Sequence, residues 1–398
     1  MRQIELLSND KIINNILRER GLTLEDLEIP IKENDYTFNN TKEGVDQFIN
    51  QIMNNANIGI LFDTDVDGLY SGKIMTEYIK LLGVNYKMFM NPDKSHGLNE
   101  EVLNWCLTEK INYLLIVDAG TNDKEFHIKF KENNIDLLIL DHHEIENKEF
   151  MIPTKEKVII NCKQKDSPNR DLSGAGVVYK FIREVDKKLN ILGDGLHQYK
   201  KWVGVTVLSD NCSIMNKENR HFVGILYEEY QEDVLFRNFK NYGTLKGLFN
   251  YKIIPLLNAC IRMAEIDLVF DLVFTTSDKV IKELIEEAEE IQDKQRYLVD
   301  KAMETIKILE GKSIAVSSIK DDTIPSSIIG LIANQIKNTC NKASIVIRKV
   351  DNYYKGSFRG LEGFENDILE DEGIIVAGHK KACGVFISPD NFKEQVKA

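Results

Sequence analysis

Three aspartates follow an apolar run at every second position in the stretch "IGILFDTDVDGLYSG". They are Asp63, Asp65 and Asp67, and the apolar residues before them predict a strand that ends where the charges begin. Like charges crowded at one strand end repel one another unless a cation neutralises them. The stretch therefore indicates that something positive is bound there, and divalent metal ions are the first candidates.

Three further acidic or histidine motifs also follow apolar runs that predict strands. They are Asp118 in "IVDAGT", the triplet "DHH" at residues 141–143, and Asp210 in "VLSDNC". Hard divalent ions that tolerate nitrogen, above all Mn²⁺, bind such mixtures of carboxylates and imidazoles. Two ions held about 3.5 to 4 Å apart, with a bridging carboxylate, could activate water and stabilise both the attacking and the leaving oxygen of a phosphoryl displacement.

Each motif taken alone has a plainer interpretation. The first resembles a calcium loop, but Ile74 stands where the twelfth position of such a loop requires glutamate. Asp118 alone could be a turn residue or a helix cap. His142 and His143 could be surface residues, and Asp210 alone is uninformative. The shared position at the ends of predicted strands is what favours a common site.

The elements that must position these residues follow an α/β pattern. Apolar runs alternate with helical patterns, as in "IGILF" before "LYSGKIMTEYIKLLG" and "YLLIVD" before "DKEFHIKFKENN". This alternation is typical of βα units and a mostly parallel, doubly wound sheet, which binds ligands beyond the carboxyl ends of its strands. The final part of the chain returns to the same alternation and predicts a smaller α/β domain.

We therefore predict an α/β protein with two α/β domains, joined by a long helix and with a cleft between them. The helix is expected to begin at Ser277 or Asp278 and to end at Gly311, which would give it a length of about 45 Å. Four segments are expected: an N-terminal helical adaptor (1–50), a catalytic domain (51–212), a helical region with the connecting helix (213–311), and a substrate-binding domain (312–398).

Composition limits the class of protein. The 398 residues are 43% hydrophobic and 29% charged, with a net charge of -12, which argues against a broad basic surface for nucleic acid. No apolar signal core opens the chain, and no stretch approaches the roughly 18 apolar residues of a membrane span, so we expect a cytoplasmic protein with no membrane partner. The six cysteines form no CxxC pair and suggest neither disulfides nor a thiolate zinc site.

The order of the motifs resembles that of a known superfamily. "DTDVDG", "VDAG", "DHH" and "LSD" resemble the four motifs of the DHH phosphoesterases, and "AGHKKACG" resembles the GGHxxAxG motif of their associated C-terminal DHHA1 domain. The stretch "KIIPLLNACIRMAEIDLVFDLVFT" is more specific and resembles the RecJ family of single-strand-specific 5′ exonucleases. Similar stretches, such as "RERGLTLEDLE" and "PSSIIGLIANQI", extend the resemblance over almost the whole chain.

The resemblance implies a two-metal centre that hydrolyses phosphodiesters. Asp63 and Asp65 would serve opposite ions, Asp118 would bridge them, and His142 and Asp210 would complete the ligand set. The ions would be Mn²⁺, with Mg²⁺ as an alternative.

Two further residues of these motifs are expected to be catalytic. His143 would meet the scissile phosphate, where it could donate to a non-bridging oxygen or assist protonation. Asp67 would be either a metal ligand or a neighbour of the ligands. Ser173 and Gly174 lead into a predicted helix whose amide groups suit a phosphate, although a tight turn that needs small residues would explain them equally well.

The resemblance also predicts that residues of the helical region contact a single strand of nucleic acid. Asn258 and Arg262 lie one helical turn apart, so both can face the same way, and Arg262 would grip a backbone phosphate. His96 in "PDKSHGL" stands where the family often carries a basic or aromatic residue before Gly-Leu.

The C-terminal domain is expected to hold the 5′ end of the nucleic-acid strand over the metal ions. Ser357 and Arg359 in "GSFRG" and His379 in "GHKKACG" resemble nucleic-acid contacts of the family. Bases could stack on a side chain such as Phe358, which would favour single strands.

Two departures from the family pattern keep alternatives open. The chain reads "IPSSIIGLIA" where RecJ proteins usually have His-Pro-Gly, and it ends soon after "GVFIS", so we expect no downstream oligonucleotide-binding barrel. A single-strand binding protein or helicase could then be needed as a partner. The alternatives are a phosphodiesterase of short oligonucleotides or bisphosphonucleotides, and an inactive scaffold, which the intact acidic set argues against.

Overall fold

The computed structural model divides into two compact units. Unit 1 comprises residues 1–258 with 269–283, and unit 2 comprises residues 259–268 with 284–398. The described residues are 15, 17–19, 23, 25, 33–92, 96–239, 243–351, 353–361, 363, 364, 366, 369 and 374–388, without the side chains of 377–379. About half of the expected N-terminal adaptor lies outside them, and the four-segment division and the cleft remain predictions.

Unit 1 is built on a five-stranded parallel sheet with the order β2-β1-β3-β4-β5. The two strands β1 and β3 are buried along their whole length, as expected for strands that helices cover on both faces. The predicted mostly parallel α/β sheet is therefore confirmed. The strands are β1 (Ile58–Phe62), β2 (Tyr86–Met90), β3 (Tyr113–Val117), β4 (Asp136–Asp141) and β5 (Lys157–Asn161).

Helices cover both faces of this sheet. Val102 and Cys106 of α3 and Phe130 of α4 pack with Leu114 and Ile139 in one apolar core, while α2 and α5 pack on the sheet at β1 and β4. The helices of this region are α1 (Thr41–Met53), α2 (Val66–Leu81), α3 (Glu100–Thr108), α4 (Lys124–Glu132), α5 (Gly174–Leu189), α6 (Lys200–Ser209), α7 (Lys217–Glu229), α8 (Val234–Arg237) and α9 (Leu245–Leu248), with 3₁₀ turns at Lys148–Met151, Gly193–Tyr199 and Tyr230–Glu232.

The strand order determines where a ligand can bind. The chain leaves β1 for β2 on one side of the sheet and returns to β3 on the other side, so β1 and β3 are neighbours at a topological switch point. In open α/β sheets the crevice at such a point, beyond the carboxyl ends of the strands, is the usual ligand site.

The helical part of the chain that follows includes the predicted long helix. It contains a π-helical turn (Phe249–Ile253), α10 (Ile254–Arg262), α11 (Ile266–Phe274) and α12 (Val280–Thr305). The long helix α12 has 26 residues and stops before Gly311, because Ile308–Glu310 forms a strand instead. The prediction that Gly311 ends the helix was therefore wrong, whereas its start near Ser277 is close to the one observed.

Unit 2 contains a six-stranded mixed sheet with the order β10-β11-β9-β8-β7-β6. Only the pair β7 and β8 is parallel among these strands. Helix α13 (Ile329–Cys340), after a 3₁₀ turn at Ser326–Ile328, packs on β8 and β9. The strands are β6 (Ile308–Glu310), β7 (Ile314–Ser318), β8 (Ala343–Val350), β9 (Tyr353–Arg359), β10 (Ile375–His379) and β11 (Ala382–Ile387).

None of the helices in the described part of the chain is long and apolar enough to span a membrane.

Candidate active site

Four strands of the unit 1 sheet deliver polar residues to one edge. Asp63 directly follows β1, Asp118 directly follows β3, Asp141 is the last residue of β4, and Asn161 is the last residue of β5. Because the strands are parallel, their carboxyl ends meet at this edge. The structure thus gathers these motifs beside the switch point between β1 and β3. The prediction that Asp210 also ends a strand was wrong, because Asp210 directly follows helix α6.

The residues at this edge form three overlapping clusters of possible metal ligands. In each cluster one ligand atom per residue lies within 4.8 Å of the others. All the predicted metal ligands, together with Asp67 and His143, belong to these clusters, although their roles as ligands remain predictions. The clusters are Asp63, Asp65 and Asp118; Asp67, His142 and Asp210; and Asp118, His142 and His143.

Asp118 is held in an unusual backbone conformation. Its φ angle is 66°, in the left-handed region that few residues other than glycine adopt. Its carboxylate fills the space where a side chain at Gly174 would lie, since a Cβ there would be 2.2 Å from Asp118 Oδ1. That Oδ1 atom is buried and has no hydrogen-bond partner. The backbone therefore presents a buried carboxylate oxygen that no hydrogen bond satisfies.

The ring of His142 has a defined orientation. Its Nδ1 atom lies 3.0 Å from the carbonyl oxygen of Leu172, so Nδ1–H donates there and Nε2 is the ring nitrogen that faces the carboxylates. Nε2 is buried without a hydrogen-bond partner and lies 3.1 Å from Asp118 Oδ1 and 3.3 Å from Asp210 Oδ2. A histidine whose outer nitrogen donates to a carbonyl is the usual form of a metal ligand, so this donor set fits a divalent ion.

The charges at the site also favour a cation. Burial and nearby carboxylates raise the pKa of Asp65 to about 6 and that of Asp67 to about 7, and they raise the pKa of Asp118 well above its ordinary value. Burial alone would lower the pKa of His142, but the carboxylate of Asp118 and its acidic neighbours outweigh burial and raise it. A bound divalent ion would remove the repulsion among these carboxylates.

Asp67 connects the first motif to the start of α5. Its Oδ2 accepts the amide N–H of Gly174 at 2.7 Å and its Oδ1 accepts that of Ala175 at 2.8 Å. The Oγ of Ser173 accepts the amide of Gly176 at 3.3 Å and pairs with Thr206 Oγ1 at 2.8 Å. Protein groups thus already engage these helix amides, which does not favour the predicted phosphate contact by Ser173 and Gly174.

Asp63 and Asp65 lie in one cluster with Asp118, and the prediction that they serve opposite ions stays a prediction. Asp65 caps α2, where its side chain accepts the amide of Gly68 at 3.0 Å. His96 Nδ1 is 2.8 Å from Asp63 Oδ2. Burial would raise the pKa of Asp63, but His96 lowers it below its ordinary value. His96, which the sequence indicated only weakly, is therefore part of the acidic site.

Asp141 organises the two histidines, a role that we did not predict. Its Oδ1 accepts the amides of His142 and His143 at 2.7 and 3.1 Å and the ring Nδ1–H of His143 at 2.8 Å, while Oδ2 accepts the amide of Thr121 at 3.0 Å. Burial would lower the pKa of His143, but Asp141 raises it to about 9. His143 is therefore a cationic donor at neutral pH. The sequence signal was the acidic last residue of a strand directly before a histidine pair.

Two buried asparagines link the loops beside His142 and Asp210, and sequence reasoning missed both. Asn219 Nδ2 donates to the carbonyl oxygens of Asp171 at 2.8 Å and Ser213 at 3.1 Å, and Asn169 Nδ2 donates to Asn219 Oδ1 at 3.1 Å. Asp171 precedes Leu172, whose carbonyl orients His142, and Ser213 follows Asp210. We call Asn169 and Asn219 the amide clamp. Their distance in sequence from the motifs left no local signal.

The predicted contacts on α10 stand one turn apart, as expected. Asn258 and Arg262 are both half-buried, and the carbonyl oxygen of Arg262 accepts a hydrogen bond from Ser327 Oγ. Their contacts with a nucleic-acid strand remain predictions.

The predicted contacts on β9 form a small polar group in unit 2. Arg359 Nη1 donates to Ser357 Oγ and to the carbonyl of Phe358, both at 2.7 Å. Arg359 also lies against the start of α13, where a Cβ at Gly330 would be 2.4 Å from its Nη2 atom. His379 ends β10, and its side chain lies outside the described residues.

The expectation that bases stack on Phe358 was wrong. Phe358 is completely buried in an apolar core with Ile345, Ile347 and Val385. Successive residues of a strand point to opposite faces, so a residue between Ser357 and Arg359 faces away from them.

Comparisons with known proteins agree with this fold. Residues 57–201 match the family model described as "DHH family, N-terminal domain", so this part of the chain is a DHH-family domain. Over most of its length the chain is similar in sequence to proteins that are named single-strand DNA-specific exonucleases, and it shares the fold of a RecJ protein.

Two curated relatives come from Bacillus subtilis (strain 168). An SPbeta prophage protein named for single-strand DNA-specific exonuclease activity is 26% identical over 94% of this chain and 71% of its own length. The single-stranded-DNA-specific exonuclease RecJ is 23% identical over 88% of this chain and 46% of its own length. This chain therefore spans about half of that RecJ protein.

A solved relative comes from Thermus thermophilus. Its RecJ in complex with Mn²⁺ has a TM-score of 0.77 and 19% identity, covering 96% of this chain and 56% of that one. The same protein in complex with Mg²⁺ has a TM-score of 0.69. At this identity the likeness shows a shared fold.

Proposed function

We propose that this protein is a metal-dependent exonuclease that hydrolyses single-stranded DNA from the 5′ end. The observation that carries the proposal is the pair of buried atoms without partners, Asp118 Oδ1 and His142 Nε2, at the centre of the acidic clusters. The similarity to single-strand-specific DNA exonucleases supports the choice of substrate.

The acidic site would hold two divalent ions, Mn²⁺ or Mg²⁺. When bound, such ions lower the pKa of water and neutralise charge on phosphoryl oxygens. The residues that would hold them are Asp63, Asp65, Asp118, His142 and Asp210, with Asp67 joining through its cluster with His142.

Side chains beside these ligands would also take part in catalysis. Asp141 holds the Nδ1–H of His143, so the protonated ring directs Nε2–H away from Asp141. His143 donates this hydrogen to a non-bridging phosphate oxygen, where negative charge grows during the displacement. Water attacks the phosphorus as the bond to the 3′ oxygen of the terminal nucleotide breaks. The 3′ oxygen takes up the proton that the water loses, and a 5′ mononucleotide is released.

Other residues hold the DNA strand during this step. Arg262, Ser357 and Arg359 offer donors to backbone phosphates, with Asn258 and His379 as further contacts. With a net charge of -12 the chain lacks a general attraction for DNA, which favours recruitment by a single-strand binding protein or a helicase. The setting would be DNA repair, recombination or replication in the cytoplasm.

The test is a time course with Mn²⁺ on a single strand of about fifty nucleotides labelled at its 3′ end, beside the same strand as a duplex. We expect a descending ladder from the single strand only, and none with Asp118→Asn. The matched control is Asp300→Asn, an exposed aspartate on α12, which should behave as wild type. Cleavage of dinucleotides but not of the long strand would contradict the proposal.

A further inference from the structure

One face of β9 carries a series of four side chains, of which the proposed function uses only two. Tyr353, Lys355, Ser357 and Arg359 alternate along the strand and therefore point to the same face of the sheet. Ser357 and Arg359 are the predicted phosphate contacts. Tyr353, with 60% of its surface exposed, and the exposed Lys355 continue the row toward the start of the strand.

The neighbouring strands extend this face with apolar side chains. Phe386 on β11 pairs directly with Lys355, and Ile375 on β10 pairs directly with Phe386. Lys355 Nζ lies 5.5 Å from the centre of the Phe386 ring. Phe386 is 37% exposed and Ile375 is 69% exposed, so this row does not belong to the core. We call Tyr353, Lys355, Ile375 and Phe386 the β9 face.

The opposite side of the same strands shows what core residues look like here. Phe358, Cys383 and Val385 alternate with the residues of the β9 face and are buried in an apolar core. The exposed rings of the β9 face are therefore not needed to fill that core. Phe386 and Ile375 are adjacent, and contiguous exposed apolar side chains mark interaction sites, whereas scattered single ones do not.

The charge of these strands indicates the kind of partner. As described, the strands β8, β9, β10 and β11 contain Arg348, Lys349, Lys355 and Arg359, and they contain no aspartate or glutamate. This is unusual in a chain with 63 acidic residues and a net charge of -12. A locally basic sheet in an acidic protein favours an anionic partner.

The spacing along β9 suits a single strand of nucleic acid. Side chains two residues apart on a strand are separated by about 6.7 Å, which is comparable to the spacing of nucleotides whose bases are splayed apart. Aromatic rings that alternate with cations along one track are the usual platform for unpaired bases, because every base has a face that can stack.

We infer that the β9 face binds the nucleotides that follow the 5′-terminal one in a single DNA strand. One base stacks on Phe386 and a later base stacks on Tyr353, while Lys355 contacts the phosphate between them. Ser357 and Arg359 hold the end of the strand on the same face. This inference rests on the proposed function, and it adds the specific surface that grips the strand.

The first experiment compares full-length variants for binding to single-stranded oligothymidylates. Equilibrium binding is measured by fluorescence anisotropy in EDTA, so that no turnover occurs, with 5′-phosphorylated oligomers of two and twelve nucleotides. Phe386→Ala is expected to weaken binding of the 12-mer by roughly tenfold or more, as the loss of one stacked base does. Binding of the dinucleotide should change less than twofold.

Two further variants separate contact from structure. Phe386→Trp should restore binding, and its added tryptophan fluorescence should be quenched by the 12-mer. Lys355→Gln should lower the slope of log affinity against log salt by about 0.7, the value for one phosphate contact with a single strand. The control is Tyr297→Ala on α12, since Tyr297 is 65% exposed in the same unit and should not affect binding.

The outcomes distinguish this inference from the proposed function. Unchanged 12-mer affinity in Phe386→Ala, with wild type still degrading single strands, would overturn the inference alone. Weakened affinity in Phe386→Ala, with a wild type that binds but degrades nothing, would overturn the proposed function alone. A change in oligomeric state without a change in affinity would assign the β9 face to a protein partner and overturn the inference.

Discussion

His142 Nε2 lies 3.1 Å from Asp118 Oδ1, and both atoms are buried without a hydrogen-bond partner. The two residues are 24 positions apart in sequence and follow neighbouring strands of the sheet. Two buried polar atoms that face each other without a hydrogen bond are costly unless a proton or a metal ion is shared between them. This relationship underlies the first two predictions.

Metal-free protein is expected to gain stability when the carboxylate of Asp118 is neutralised. Asp118→Asn removes one of the repelling charges, and asparagine tolerates the left-handed backbone at this position. We expect a higher midpoint of thermal unfolding than wild type in EDTA. Mn²⁺ at a hundredfold excess over its dissociation constant should stabilise wild type by about 2.7 kcal/mol and the variant by much less. A lower midpoint for the variant in EDTA would contradict the repulsion.

Substitutions of the two adjacent histidines should have different effects on metal binding and on turnover. His142→Gln is expected to weaken Mn²⁺ binding and to abolish hydrolysis, because it removes a ligand. His143→Gln should leave Mn²⁺ affinity within about twofold and lower kcat by about a hundredfold or more, the usual size of a lost acid or donor. Asp141→Asn should resemble His143→Gln, since Asp141 holds that ring. Equal loss of Mn²⁺ affinity in both histidine variants would contradict the separate roles given to His142 as a ligand and His143 as a donor.

The amide clamp should control metal affinity from a distance. Asn219→Ala breaks the link between the loops of Asp171 and Ser213, so we expect Mn²⁺ affinity to fall by roughly ten- to a hundredfold. Ile332→Val, in the core of unit 2, is the control for general destabilisation, with an expected loss of about 1 kcal/mol and no change in affinity. Unchanged affinity in Asn219→Ala would give the clamp a purely structural role.

Stability should fall in mild acid because of His127. Burial lowers the pKa of His127 to about 4, and its Nε2–H donates to the carbonyl of Gly120 at 2.8 Å. The unfolded chain binds a proton at the ordinary pKa near 6.5, so this contribution is complete above that pH and is lost as the pH falls toward 4. At pH 5 the loss is about 2 kcal/mol.

Denaturant unfolding in EDTA at pH 7.5 and pH 5.0 measures this effect. His127→Gln should show a smaller drop in the free energy of unfolding between the two pH values than wild type does. An equal drop would show that other groups cause the acid sensitivity.

Much of unit 1 could be predicted because its signals are local. Apolar runs define the strands, and Asp63 and Asp118 come directly after them, so parallel pairing alone brings these residues to one edge. The bonds from Asp67 to Gly174 and Ala175 join residues 107 and 108 positions apart, and nothing in the local sequence indicates them. They explain why the start of α5 is occupied by a carboxylate of the protein.

The wrong assignment of Phe358 has a simple physical cause. Strand alternation places Phe358 opposite Ser357 and Arg359, so treating all three as substrate contacts was inconsistent from the start. Phe386 could not be chosen from sequence, because its pairing with Lys355 depends on the register of β11. The early end of α12 likewise depends on pairing, since Ile308–Glu310 joins β7.

The most direct test of the metal centre is calorimetric titration of metal-free protein with Mn²⁺. Wild type and Asp300→Asn are expected to bind two ions, and Asp118→Asn is expected to lose at least one of them. Saturable binding of two ions that disappears with Asp118 would support the site at the switch point. Folded wild type that binds no Mn²⁺, or an Asp118→Asn variant with unchanged stoichiometry and affinity, would contradict it.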